Sequence, residues 1–267
     1  MKTSEFDFIV PPELIAHEPA TKRDESRLMV LGRKTESIEH KHFYNIIDYL
    51  NPGDLLVLNN TKVIPANLAG RREGGGGKVE VLLVKQLLKP ETKSLGFNNR
   101  KQTRNRDFQS QVPNTIVWEC LVKPGKKLNV GSKIIFGEGE VVGEVLEKTG
   151  TGEQIIAFTG DLDGYINSKG QIPLPPYIHS SFVIRNSSLT NRYQTVYAEK
   201  EGASAAPTAG LHFTPELIAK INAKGVNIAY VTLHTGLATF KPVYAENIED
   251  HKMYYESYEV PAETIEA

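Results

Sequence analysis

Two segments of this chain each set a histidine among small residues: Gly202-Ala-Ser-Ala-Ala-Pro-Thr-Ala-Gly-Leu-His-Phe-Thr214 and Thr232-Leu-His-Thr-Gly-Leu-Ala-Thr-Phe240. His212 and His234 bring the side chain best suited to proton transfer near neutral pH. The small residues around them let backbone come close to a ligand. The first segment runs into a helix with a legible start and stop. Thr214 is a good N-cap, Pro215 suits the first helical position, Glu216 complements the dipole, and Gly225 ends it. A loop of small residues at a helix N-terminus is a place for a carboxylate or phosphate. The plainer reading is a tight strand-to-helix connection with two satisfied histidines.

The elements that must carry these segments follow from pattern. Leu28 to Leu31 and Leu55 to Leu58 read as short buried strands. Between them Phe43, Ile46, Ile47 and Leu50 share one helical face. Val226 to Leu233 is a strand that delivers His234-Thr235-Gly236 to its carboxyl end, where open α/β sheets hold ligands. From about Asn67 to Thr159 six candidate strands follow one another: Leu68–Arg72, Lys78–Leu88, Thr115–Lys123, Ser132–Phe136, Glu140–Glu147 and Gln154–Phe158. Gly- and Pro-rich turns separate them, as in a small β-barrel. The expected fold is an α/β (α+β) main domain, residues 1–66 and 160–267, with an inserted six-stranded β-barrel domain over 67–159. Gly170 to Tyr177 reads as extended, because its prolines cannot join a helix or a central strand.

Composition excludes some classes. The 267 residues are 40% hydrophobic and 24% charged with a net charge of −1, so nucleic acid would have to be gripped by a local patch. The single Cys120 excludes an internal disulfide and a Cys-rich metal site, and beside Trp118 it reads as core. The N-terminus lacks a signal-peptide pattern, and no apolar run approaches the roughly eighteen residues of a membrane span. A cytoplasmic protein is expected.

Other motifs resolve to plainer readings. Gly74 to Gly77 precedes Lys78-Val-Glu-Val, a strand, so it is a hairpin turn and not a phosphate loop. Gly202-Ala-Ser-Ala-Ala lacks the final glycine of a nucleophile elbow. His40-Lys-His42 has no third metal ligand nearby and reads as a polar surface turn. The basic stretch from Lys85 to Asp107 is a solvated loop or a grip on RNA phosphates. A methyltransferase would need a Gly-rich turn after the first strand, and Leu31-Gly-Arg-Lys offers one glycine. Asn59-Asn-Thr-Lys62, a polar cluster closing a strand, either makes a turn or holds ribose hydroxyls or a carboxylate.

Six blocks, in order, resemble the S-adenosylmethionine:tRNA ribosyltransferase-isomerase family of the queuosine pathway. They are Phe6 to Ala16, Arg23 to Leu31, Pro52 to Ala66, Gly170 to Ile178, Arg192 to Ala198, and the two histidine segments. The match is poorest between Leu87 and Asn114, and Ser204, Thr235 and Ala238 depart from the family pattern. The family continues past Ala267, where this chain ends as a helix begins at Pro261, so a partial chain is expected.

The resemblance implies an α/β domain interrupted by a barrel. It also implies transfer and isomerisation of the ribosyl part of S-adenosylmethionine onto 7-aminomethyl-7-deazaguanine in tRNA, releasing adenine and methionine. The implied partners are tRNA and S-adenosylmethionine, the latter consumed as a substrate; no further cofactor, metal or membrane is implied, and a monomer is expected. Counted with the resemblance, His212 and His234 are the acid–base candidates. Pro207, Thr208, Ala209 and Gly210, with the helix N-terminus, would hold the methionyl carboxylate. Arg27, Asn59, Asn60, Thr61, Lys62, Arg192, Thr195, Tyr197, Thr235 and Gly236 complete the expected substrate site. The alternative from another class is a non-catalytic RNA-binding module or an inactive fragment of the enzyme.

Overall fold

The computed structural model describes residues 1–88, 115–149, 152–175, 178, 191–236, 243–251, 253 and 256–267. They form two compact units, Met1–Ile64 with Leu174–Ala267, and Pro65–Pro173.

The second unit is built on a closed barrel of six antiparallel strands: β5 (Asn67–Arg72), β6 (Lys78–Leu88), β7 (Ile116–Lys123), β8 (Lys133–Phe136), β9 (Val141–Lys148) and β10 (Gln154–Gly160). They are ordered β10-β7-β6-β5-β8-β9. Here numbering in β1 to β13 follows the chain. Alternation drives closure: Val79, Val81 and Leu83 of β6, Ile134 and Phe136 of β8, and Val141 and Val145 of β9 are buried at every second position. Gly70 sits where a Cβ would come within 2.8–2.9 Å of Ile134 and Phe136, so its bareness makes room for the core aromatic. The strands match the expected ones, and Gly74 to Gly77 lies in the β5–β6 hairpin turn.

The unit runs on past Thr159 through the helix Leu162–Lys169, which the pattern reading passed over. Asp161 caps it by accepting from Gly164 N–H at 3.0 Å. Leu162, Tyr165 and Ile166 are buried, Tyr165 edge-on to Phe136 at 6.0 Å. Cys120 is fully buried, and burial pushes its thiol pKa well up, which leaves it an inert core residue.

Among the described residues the first unit has three small sheets. β1 (Arg27–Gly32) and β2 (Ser37–His42) make an antiparallel hairpin. β4 (Thr61–Val63) pairs in parallel with β11 (Lys200–Ala203). β12 (Asn227–Leu233) lies between β3 (Leu55–Asn59), parallel to it, and β13 (Tyr258–Glu259), antiparallel. The core joins Phe43, Leu58, Phe213, Leu217, Ile221 and Val226.

The helix Pro215–Ala223 has the expected ends. Thr214 Oγ1 accepts from Leu217 N–H at 3.1 Å. At the far end Gly225 is left-handed at φ 87°, and Gly225 and Val226 N–H donate to the carbonyls of Asn222 and Ile221, a Schellman stop.

Four expectations need correction. The Leu28 to Leu31 strand is not buried: as half of a two-stranded hairpin it leaves Met29 and Leu31 59% and 62% exposed. In β3, Leu55 and Val57 face solvent while Leu58 is buried. Phe43–Tyr49 winds as a 3-10 helix, though Phe43, Ile46, Ile47 and Leu50 do share the core. His40 and His42 lie in β2, not in a turn; His42 Nδ1 is 2.9 Å from the Glu25 carbonyl and its ring stacks on Tyr44. Most of the basic stretch Lys85 to Asp107 lies outside the described residues.

Candidate active site

The joint between β3, β4 and β12 is fastened by side chains. Asn59 Oδ1 accepts from Leu233 N–H and Thr61 N–H at 3.0 and 3.1 Å, and Asn59 Nδ2 donates to Leu233 O at 3.0 Å. Asn60 is buried; its Oδ1 accepts from Thr232 Oγ1 at 2.7 Å and its Nδ2 donates to Glu199 at 3.1 Å. Both carboxamides therefore hold the frame, nearer to the turn-closing alternative the sequence offered than to ligand contacts: a strand that breaks step needs substitutes for its lost ladder bonds. Lys62 is likewise engaged, ion-paired with Glu201 at 2.9 Å on the surface.

This frame places His234 immediately after β12. Its Nδ1 lies 2.8 Å from Thr61 Oγ1, and its backbone N–H donates to Ser257 O. The ring lies against Gly202, where an added Cβ would fall 2.8 Å from Cε1 and 3.0 Å from Nε2. Gly202 also has φ 149° and sits where the β11–β4 register shifts, a bulge that only glycine accommodates easily. Burial and the Lys200 charge lower the His234 pKa, opposed in part by Glu259. On balance the site favours the neutral imidazole over the cation. Thr235 O accepts from Ser204 N–H at 2.9 Å and Ala205 N–H at 3.3 Å, tying the two histidine segments together, and Gly236 N–H donates to Glu256.

His212 has other company. It ends the 3-10 turn Thr208–His212 and its ring tilts against Phe43 at 5.1 Å. No hydrogen bond or ring contact joins it to His234 among the described residues. In the same turn Gly210 is buried because Tyr197 and Thr195 close over it; a Cβ there would meet the Tyr197 hydroxyl and Thr195 Cγ2. Burial pushes the Tyr197 phenol up to about 12, with Tyr230 adding to it, so it stays protonated. Thr195 Oγ1 is buried with no hydrogen-bond partner among the described residues.

Thr208 borders a pocket of about 250 Å3 that it shares with Pro19, Leu174, Arg192, Tyr193 and Leu211. The structure thus gathers Arg192 and Thr208. Arg192 donates to the carbonyls of Ala20 and Thr21 at 2.7 and 2.9 Å. Arg23 returns the favour to the carbonyls of Arg192, Leu211 and Asn191. Thr208 lies four residues from Ser204, whose N–H donates to the Thr235 carbonyl next to His234, a Cα span of at most roughly 14 Å along that segment. Arg27 stands apart, exposed at the start of β1.

One expectation about anion binding also changes. At the helix N-terminus Thr214 already occupies the Leu217 N–H, and Glu216 bonds its own backbone N–H and Thr214, which lowers its carboxyl pKa. The chain caps this helix itself, so the Thr208–His212 turn and not the helix end adjoins the pocket. Glu256 and the Gly202 bulge are features that sequence reading missed. A lone glycine two residues before a serine carries no signal for a positive φ; the contact with His234, 32 residues on, creates the need.

Among the described residues, no group of three or more His, Cys, Asp or Glu side chains is placed to hold a metal ion, and no helix is long and apolar enough to cross a membrane.

Comparison with known proteins gives one family. The family model described as "Queuosine biosynthesis protein" matches residues 3–267. Curated relatives include the S-adenosylmethionine:tRNA ribosyltransferase-isomerases of a Thermoanaerobacter species and of Staphylococcus haemolyticus. The first is 48% identical over 268 residues, covering 100% of this chain and 70% of the relative. The second is 45% identical over 266 residues, covering 99% and 69%. A crystal structure of the S-adenosylmethionine tRNA ribosyltransferase of Thermotoga maritima is 34% identical and aligns over 98% of this chain and 63% of that one, with a TM-score of 0.36. Matched along nearly its whole length, with the blocks that build the His234 joint inside the match, the chain belongs to the queuosine biosynthesis protein family.

Proposed function

We propose that this chain carries the reaction centre of an S-adenosylmethionine:tRNA ribosyltransferase-isomerase. It would move the ribosyl part of S-adenosylmethionine onto 7-aminomethyl-7-deazaguanine in tRNA, rearranging it to the epoxycyclopentanediol of epoxyqueuosine. Adenine and methionine leave. Its partners are then tRNA and S-adenosylmethionine, with the latter consumed and no further cofactor required by the steps.

The reaction asks three things of a protein. A proton must leave the carbon beside the sulfonium, adenine must be helped away by a donor to its ring, and the exocyclic amine must reach the sugar unprotonated. The observation that supports this reading is the convergence of Thr61, Gly202 and His234 from three separate segments on one imidazole. A half-buried ring whose pKa is shifted by burial and by a neighbouring charge is the kind of group that functional sites concentrate. His212, seated on Phe43 at the end of the pocket turn, is the candidate for moving a proton. Arg192 and Thr208, which share the pocket, are proposed to receive the methionyl or adenosyl part of the substrate.

The test is adenine release from S-adenosylmethionine in the presence of tRNA bearing the precursor base, run on this chain and on a full-length relative. His234→Ala should lower turnover by roughly 10²–10⁴ with binding largely kept. Binding of tRNA without adenine release, in this chain and not in the relative, would leave the RNA-binding module as the better description. Equal turnover in wild type and His234→Ala removes that ring from the chemistry.

A further inference from the structure

We propose that Thr61 is a positioning residue that holds His234 as the neutral Nε2–H tautomer, so that this ring serves the substrate as a hydrogen-bond donor and not as a base. The inference rests on the reading of His234 as part of the reaction centre, and it assigns the ring's role within it.

A threonine hydroxyl carries one hydrogen to donate, and its oxygen can also accept. Thr61 is fully buried, and its hydroxyl has a single hydrogen-bond partner among the described residues, His234 Nδ1 at 2.8 Å. If Nδ1 carried a proton it would donate to the oxygen, and the hydroxyl hydrogen would point at nothing. That outcome applies both to the Nδ1–H tautomer and to the doubly protonated ring. Leaving a buried donor unmet costs about 1–3 kcal/mol. The arrangement that satisfies every group has the hydroxyl donating to a bare Nδ1, which puts the ring's one proton on Nε2. Burial and the nearby Lys200 act in the same direction by disfavouring the cation, against the opposing charge of Glu259.

Gly202 completes the device. Its bulge presents only hydrogen toward the Nδ1–Cε1–Nε2 part of the ring. A methyl there would lie 3.0 Å from Nε2, over the nitrogen that has the proton to offer. A fixed neutral N–H is suited to a substrate atom that gains electron density as a bond breaks, and the departing adenine ring is such a group. It stabilises that atom without any proton passing to or from the protein.

The experiment is a two-dimensional nitrogen–proton NMR spectrum of the 15N-histidine-labelled chain at pH 7, with His234 assigned from the peaks lost in His234→Gln. The expected pattern is an unprotonated, pyridine-like Nδ1 and a protonated Nε2. Thr61→Val should release the ring into a tautomer mixture, and Thr61→Ser should restore the wild-type pattern. In the adenine-release assay Thr61→Val should lower kcat roughly tenfold with KM little changed, the loss of one aligned hydrogen bond. A protonated Nδ1 in the wild type, or an unchanged pattern in Thr61→Val, overturns the proposal. The wild-type spectrum decides even if Thr61→Val fails to fold. The Nε2–H pattern in a chain and relative that release no adenine would sink the functional reading and leave the tautomer assignment standing.

Discussion

In the barrel, Leu68, Val81, Leu83, Ile134 and Phe136 are sealed from solvent and the strands bond backbone to backbone. In the joint around His234, Asn59, Asn60, Thr61 and Thr232 do the fastening with side chains, reaching residues 139 to 174 positions away apart from the local Asn59–Thr61 contact. Inside the barrel the side chains contribute non-directional apolar packing; in the joint the side chains make directional bonds, each with a named partner. Packing tolerates rearrangement so long as volume is kept, whereas a directional bond fixes an atom in place. A scaffold needs the first property and a reacting centre the second.

The contrast can be broken by substitution. Phe136→Ala opens a cavity among Ile134, Phe158 and Tyr165 and should cost about 3–5 kcal/mol, read as faster amide exchange across β5–β10 with the His234 spectrum unmoved. If the His234 signals shift as well, the two regions are not independent. Asn59→Ala strands the N–H groups of Thr61 and Leu233 and should cost about 1–3 kcal/mol in urea unfolding, with adenine release falling alongside. Loss of stability without loss of turnover would make the joint a scaffold only. Thr214→Ala removes the cap on Leu217 N–H and should cost about 1 kcal/mol, localised by exchange to the helix Pro215–Ala223.

Acid should act through His234. Its folded-state pKa is depressed, so its contribution to stability is complete above the unfolded value of about 6.5 and fades as pH falls through the lower folded value. A stability–pH curve should lose that part of its slope in His234→Gln, and an identical curve would show that the ring is not desolvated. The smallest effect belongs to the exposed Lys62–Glu201 pair: Lys62→Ala should change stability by no more than about 1 kcal/mol, and less in high salt.

What was legible in the sequence follows the same division. The barrel strands could be read because a period of two with Gly and Pro between runs is local information. The helix at Pro215 was legible for the same reason, since Thr214 and Gly225 act on their own neighbours. The helix Leu162–Lys169 carries an equal signal, Asp161 with Leu162, Tyr165 and Ile166 at helical spacing, but it is short and directly follows the stronger strand pattern. The exposure of the β1–β2 hairpin is not legible, because an apolar run says nothing of how many layers cover it. The polar cluster at Asn59 is legible but its two possible uses are not separable by spacing: whether a carboxamide faces a ligand or a backbone 174 residues away is settled by a fold. The need for glycine at 202 arises only once His234 is beside it.

The pocket's Arg192 and its counterpart Arg23 have a consequence of their own. Arg23 and Arg192 each grip carbonyls from the other's stretch of chain, and neither of those grips uses a carboxylate. A carbonyl has no proton to gain, so this clasp outlasts the acidification that loosens ordinary ion pairs. A lysine could not replace either arm, since a single ammonium lacks the forked reach that spans neighbouring oxygens.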